Sequence, residues 1–205
     1  MVSLPPPQLV LASTSPYRRA LLARLGVPFE TTDPAVDETP LPHEAPEALV
    51  KRLAEAKARQ GGGGRDHALV IGSDQMAVVD GELLGKPGDH AIAVRQLERC
   101  SARVVTFLTG LCVLNTRTGE AATDMVPFRV VFRPLSRARI EAYLARERPY
   151  DAAGSFKSEG LGVALFQRME GEDPTALVGL PLIRLVDLLR EAGLDVLEGP
   201  WPQLS

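Results

Sequence analysis

Short apolar runs with strand character alternate with longer segments of helical period along this 205-residue chain. That alternation restricts it to an α/β architecture more tightly than any other feature does. Gln8–Ala12 reads as a buried strand, and a helix follows at once, with Ser15 as N-cap, Pro16 at its first position and Gly26 beyond its end. Phe29–Thr32 is a short strand leading into a Pro-rich acidic loop over 33–46. A helix over 46–60 is then stopped by four glycines, 61–64, expected to form a flexible surface turn. A second buried strand, 68–72, ends at Ser73-Asp74-Gln75. Residues 76–79 and 82–84, joined by Asp80-Gly81, predict a hairpin with a type I′ turn. A helix over 89–99, strands over 104–115 and 123–132 linked by a turn at Gly119, and a helix from Ser136 to about Arg146 follow. A Gly-rich stretch, 152–162, precedes a strand near 163–169, and a helix over 182–192 capped by Gly193 closes the pattern. The tail after Leu197 is expected to be poorly ordered.

The length suits one domain, or one core with two lobes around a cleft. With 45% hydrophobic and 24% charged residues, disorder is excluded. A net charge of −3 argues against a broad nucleic-acid surface, which needs excess positive charge to release phosphate counterions. Cys100 and Cys112 have no metal-ligand spacing and read as reduced, buried thiols of a cytosolic protein. Met1-Val-Ser-Leu-Pro-Pro-Pro carries no signal-peptide pattern, and no apolar run approaches a membrane span. A cytoplasmic location, with neither nucleic-acid nor membrane partners, is the expectation.

Two cations stand where apolar residues belong. At about 100° per residue, Leu21, Leu22 and Leu25 of the first helix share one stripe, and Arg18 falls in its middle. A guanidinium there, in the first turn of a helix, is placed to clamp phosphate; alternatively its stem snorkels over the core edge. In the second helix Leu49, Val50, Leu53 and Ala54 define the apolar face, and Lys57 falls on it. A buried lysine without a partner is costly, so Lys57 must reach a carboxylate or a bound anion.

Asp74 follows the run Ala68-Leu-Val-Ile-Gly-Ser and is expected to leave the end of a buried strand, the edge where ligands bind in open α/β sheets. There it would bind a divalent cation or act as a base, although an aspartate at that position also makes an ordinary Asx turn. Asp37-Glu38 in the acidic loop and Lys86 in Gly85-Lys86-Pro87 are further candidates, and neither is specific alone. The sequence has no Walker loop, GxGxxG, HExxH or GxSxG, which removes the commonest NTPase, dehydrogenase, zinc-protease and serine-hydrolase readings.

Taken in order, Leu11-Ala-Ser-Thr-Ser-Pro-Tyr-Arg-Arg, Val36-Asp-Glu-Thr, Val70-Ile-Gly-Ser-Asp-Gln, Gly85-Lys-Pro, Thr109-Gly, Ala153-Gly-Ser-Phe-Lys-Ser-Glu-Gly and Val178-Gly-Leu-Pro resemble the Maf family of nucleoside triphosphate pyrophosphatases. The resemblance covers about 8–195 of a single domain, 1–205. It implies a mixed central sheet with flanking helices and a deep cleft between two lobes (Maf/ITPase-like), a divalent metal (Mg²⁺ or Mn²⁺), and cleavage between the α- and β-phosphates of a small nucleotide. Carried over residue by residue, it makes Asp74 the general base and a metal ligand. It puts Glu38 near metal or water and lines the triphosphate site with Ser13, Arg18, Lys57 and Lys86. It leaves room for a homodimer.

Three positions depart from the commonest pattern of that family: Tyr17 replaces arginine, Gln75 threonine and Glu159 glutamine. The combination is similar to the subgroup acting on 7-methyl-GTP, whose positively charged base favours an aromatic face and a carboxylate. Tyr17 either stacks on such a base or simply packs at the helix start. The rival expectations are a dTTP/UTP pyrophosphatase of the same family, a nucleotide-binding regulator of septum formation without turnover, and a phosphohydrolase acting on a non-nucleotide substrate.

Overall fold

The computed structural model describes residues 6–199 and Trp201. The strands are β1 (Gln8–Ala12), β2 (Phe29–Thr32), β3 (Ala68–Val79), β4 (Glu82–Leu84), β5 (Val104–Asn115), β6 (Ala121–Phe132) and β7 (Phe166–Glu170). They form one seven-stranded sheet in the order β2-β1-β3-β5-β6-β7, with β4 paired to β3 off that path. β1 runs parallel to both β2 and β3, whereas β3–β4 and β6–β7 are antiparallel, so the sheet is mixed. Among the described residues six α-helices accompany it: α1 (Pro16–Ala23), α2 (Pro46–Gly61), α3 (His90–Cys100), α4 (Arg137–Glu147), α5 (Pro174–Val178) and α6 (Leu182–Glu191). The α/β class with a mixed central sheet and flanking helices is therefore as expected.

The chain divides into two compact units. One comprises the residues up to Asp74, Thr109–Val126 and the chain from Gly179 onward; the other comprises Gln75–Leu108 and Pro127–Val178. In the first unit α2 lies against the sheet backbone. A Cβ on Gly72 of β3 would sit 2.0 Å from Ala54 O and 2.6 Å from Ala58 N, and one on Gly110 of β5 would sit 2.1 Å from Val50 O. Two glycines thus let a helix approach two strands closely, and Val10, Ala12, Ala54, Ala58, Val70 and Cys112 pack tightly around the contact. In the second unit Phe107, Phe132, Phe156 and Phe166 stack edge to face, with centroids 4.8–5.4 Å apart.

Local signals in the sequence correspond closely to the observed ends. Ser15, Asp89 and Ser136 cap α1, α3 and α4 through their side-chain oxygens. Asp80 (φ 49°) and Gly81 (φ 80°) both take the positive φ that a type I′ hairpin requires. Both cysteines are buried and unpaired, and burial pushes the Cys100 thiol up to about 12, where it is inert as a nucleophile. Among the described residues no helix is long and apolar enough to cross a membrane.

Four expectations need correction. β3 does not stop before Ser73: it runs unbroken to Val79, so Asp74 lies inside a strand rather than at its tip. Its polar residues are tolerated there because they find partners, the Ser73 hydroxyl reaching Gly110 O and Gly179 O at 2.9 Å each. The four glycines are only partly a surface turn. Gly61 ends α2 and, like Gly62, is buried, with no room for a side chain because a Cβ on Gly61 would meet Ala12 Cβ at 2.6 Å. The strand expected at 163–169 starts at Phe166, because Leu161–Leu165 forms a 3₁₀ turn tied back to Lys157 O by Gly160 N just before it and Gly162 N within it. α5 was not expected; the buried Asp173 starts it by accepting from Thr175 N at 2.9 Å. In the tail after Leu197, Trp201 Nε1 donates to Asp195 O at 3.1 Å, and Pro200 and 202–205 lie outside the described residues.

Gly72→Ala should cost about 3 kcal/mol or more, because its Cβ collides with helix backbone rather than with a side chain that can yield. A fall in Tm of roughly 6 °C or more is expected by calorimetry; an unchanged Tm would contradict this account of how α2 seats on the sheet.

Candidate active site

Lys57 faces inward on the fourth turn of α2, and Asp74 faces it from β3. Nζ donates to Asp74 Oδ1 at 2.6 Å, and both side chains are more than nine-tenths buried. The same ammonium lies 2.5 Å from Glu38 Oε1, whose carboxylate is largely exposed. One cation therefore bridges a buried and an exposed carboxylate. The second oxygen of the buried one, Asp74 Oδ2, has no hydrogen-bond partner and no solvent contact. An orphaned buried carboxylate oxygen costs free energy in the folded protein and marks a place where a proton, a water or a cation is to be received.

Glu38 is positioned by the loop that carries it. Arg52 of α2 donates from Nε and Nη2 to the two oxygens of Glu44 at 2.7 and 2.8 Å, and from Nη2 to Thr39 O at 3.1 Å. Glu44 also accepts from Leu41 N at 2.9 Å, and Asp37 from Thr39 N at 2.9 Å. The Arg52 fork and the Leu41 amide hold the Glu44 carboxyl down at about 2.

Arg18, in the first turn of α1, donates Nε–H to Gly179 O at 2.8 Å. Burial pushes its guanidinium below the usual arginine value, opposed by the field of Asp74 and then of Glu38. Ser13, buried at the end of β1, accepts from Ser15 N at 3.1 Å. Tyr17 is half-buried beside Arg18 in sequence. The first unit thus holds Ser13, Tyr17, Arg18, Glu38, Lys57 and Asp74.

Gln75, Lys86 and Glu159 belong to the second unit. Gln75 Nε2 donates to Ala176 O at 2.7 Å and Leu177 O at 3.2 Å, tying β3 to α5. Lys86 is exposed; its neighbour Gly85 accepts from Gln96 Nε2 at 3.1 Å and from Gly154 N at 3.4 Å, which fixes the backbone on which the ammonium is mounted. Glu159 is exposed and accepts from Ser158 Oγ at 3.1 Å. The loop bearing it is clamped by α4, with Lys157 N donating to Tyr143 Oη (3.1 Å) and Leu161 N to Glu147 Oε2 (2.7 Å). Among the described residues no group of three or more His, Cys, Asp or Glu side chains is arranged to hold a metal ion.

Sequence reasoning did not single out Ser73, Arg52, Glu44 or Gly179. The only signal for them was adjacency: Ser73 precedes Asp74, and Gly179 lies in the quoted Val178-Gly-Leu-Pro segment.

A mixed α/β fold with a buried pair between a helix lysine and a strand aspartate, and an arginine on the first helix, defines the class, and the chain belongs to the Maf family: the model of the Maf-like protein matches residues 8–192, running through both units. It is 60% identical over 192 residues to a protein of Nitrosococcus oceani named 7-methyl-GTP pyrophosphatase, covering 94% of this chain and 96% of that one. Proteins of the same name from Thiobacillus denitrificans (55%, covering 96% of each chain) and Methylobacillus flagellatus (54%, covering 93% of this chain and all of the relative) are also similar.

Two outcomes are expected. Lys57→Met, which strands the Asp74 carboxylate in a buried position, should destabilise the protein by about 3–5 kcal/mol in denaturant unfolding, and adding Asp74→Asn should restore part of that loss; equal stability of Lys57→Met and the parent would contradict the pairing. The Glu44 carboxyl, depressed when folded, contributes stability that is full above its ordinary value near 4.5 and is lost as pH falls through about 2. An NMR titration should find its midpoint near about 2, moving up towards the ordinary value in Arg52→Leu.

Proposed function

We propose that this chain hydrolyses 7-methyl-GTP to 7-methyl-GMP and pyrophosphate. The observation that carries the reading is the Asp74 carboxylate, held by Lys57 through one oxygen with the other left orphaned, in a Maf-family chain whose near relatives carry that name.

The chemistry follows from the chain's own groups. Lys57 fixes the Asp74 carboxylate through Oδ1, so Oδ2 is the atom that accepts a proton from the attacking water. The Nε–H of Arg18 is taken by a neutral carbonyl and not by a carboxylate, so that partner leaves the guanidinium charge uncompensated, and its terminal N–H groups are the donors for phosphate oxygens. Charge growing on those oxygens during phosphoryl transfer is met by fixed cations, usually the largest catalytic contribution. The Asp74 and Glu38 carboxylates are hard oxygen donors of the kind that would hold Mg²⁺ or Mn²⁺, together with substrate phosphates. Such an ion supplies charge neutralisation and a more acidic water. The family resemblance assigns Ser13 and Lys86 to phosphate; the three departures from its commonest pattern, Tyr17, Gln75 and Glu159, are read as the residues that meet the methylated base. The same reading treats residues 1–205 as one domain acting in the cytoplasm on a small nucleotide, without nucleic-acid or membrane partners and with room for a homodimer.

Pure protein with Mg²⁺ or Mn²⁺ should release pyrophosphate from 7-methyl-GTP at least about tenfold faster than from dTTP or UTP. Asp74→Asn should reduce turnover on the order of 10²–10⁴-fold while still binding nucleotide. Preference for dTTP or UTP would overturn the substrate assignment, binding without turnover would favour a regulator, and orthophosphate as sole product would overturn the reaction.

A further inference from the structure

Resting on the reading of the first unit as a triphosphate site, we infer that Gly179 is a positioning residue for Arg18: its carbonyl oxygen aims the guanidinium at phosphate without cancelling its charge. Gly179 O accepts Nε–H of Arg18 at 2.8 Å and is also 2.9 Å from the Ser73 hydroxyl, which is fully buried and reaches Gly110 O as well. The carbonyl is thus held from the strand that carries Asp74 and in turn holds the arginine of α1.

A carboxylate in that place would fix the guanidinium equally well but would neutralise it. A neutral acceptor occupies one of the five N–H donors and leaves the charge and the terminal fork for an anion. The backbone conformation that turns this carbonyl inward has φ +112°, a region that side-chain-bearing residues rarely adopt. A Cβ built on Gly179 would lie 3.4 Å from Arg18 Nε and 3.8 Å from its Cγ and Nη2, in ordinary van der Waals contact with the arginine and without a clash. Glycine is required here by conformation: another residue would strain the backbone that turns this carbonyl towards Arg18.

A double-mutant cycle on the full chain with Mg²⁺ tests this. Gly179→Ala should raise KM for 7-methyl-GTP, and Ki for inorganic tripolyphosphate as competitor, by about tenfold or more. In an Arg18→Lys background, which has no Nε–H to be held, the same change should shift either constant less than about twofold. Additive effects in the two backgrounds would overturn the proposal. If Gly179→Ala does not fold, Ser73→Ala supplies the same comparison without altering the backbone. A KM increase that vanishes in Arg18→Lys supports the role, and an increase of equal size in both backgrounds, or none, refutes it. A wild-type protein that neither turns over a triphosphate nor binds tripolyphosphate would refute the site reading itself. Additivity in an active enzyme refutes only the part assigned to Gly179.

Discussion

A lysine ammonium and an aspartate carboxylate 2.6 Å apart, both almost wholly withdrawn from water, are the interaction on which the candidate site depends. Removing either charge from water costs several kcal/mol after relaxation, and the pair is tolerable only because each offsets the other. That balance requires the carrier of Lys57 to lie very close to the carrier of Asp74. The glycines at 72 and 110 allow it, by letting backbone atoms of α2 touch β3 and β5 where any side chain would intervene. Packing at a glycine and electrostatics at an ion pair are here one constraint.

The balance is also incomplete. Lys57 satisfies one oxygen of Asp74, and the other stays buried and alone. A chain optimised only for stability would pair that oxygen or replace it, since an unsatisfied buried acceptor costs about 1–3 kcal/mol. The acidic loop tells the same story from the other side. A two-pronged arginine contact and several side chain–backbone bonds hold Glu38 where its carboxylate meets the same ammonium while staying exposed. Order is spent on presenting charge, as a site for a polyanion and its counter-ion demands.

Local chemistry was legible in the sequence wherever one residue type serves one geometry: hydroxyl and carboxylate N-caps, Asp80-Gly81 in the hairpin, and the phase that put Lys57 on an apolar face. Features set by distant partners were not. Ser73 and Asp74 look like the end of a strand until carbonyls at 110 and 179 and an ammonium at 57 satisfy them. Gly61 looks like a chain breaker until Ala12 is seen against it. α5, five residues long, is too short to show a period. The family was readable because its motifs occur in order, although none is decisive alone.

The central claim is that water attacks the α-phosphorus of the triphosphate, the position that the proposed role of Asp74 serves. The most direct test is turnover of 7-methyl-GTP in water enriched in oxygen-18, with both products examined by mass spectrometry. The account predicts one labelled oxygen in 7-methyl-GMP and none in pyrophosphate. Label in pyrophosphate, or in released orthophosphate, would place the attack on another phosphorus and contradict it.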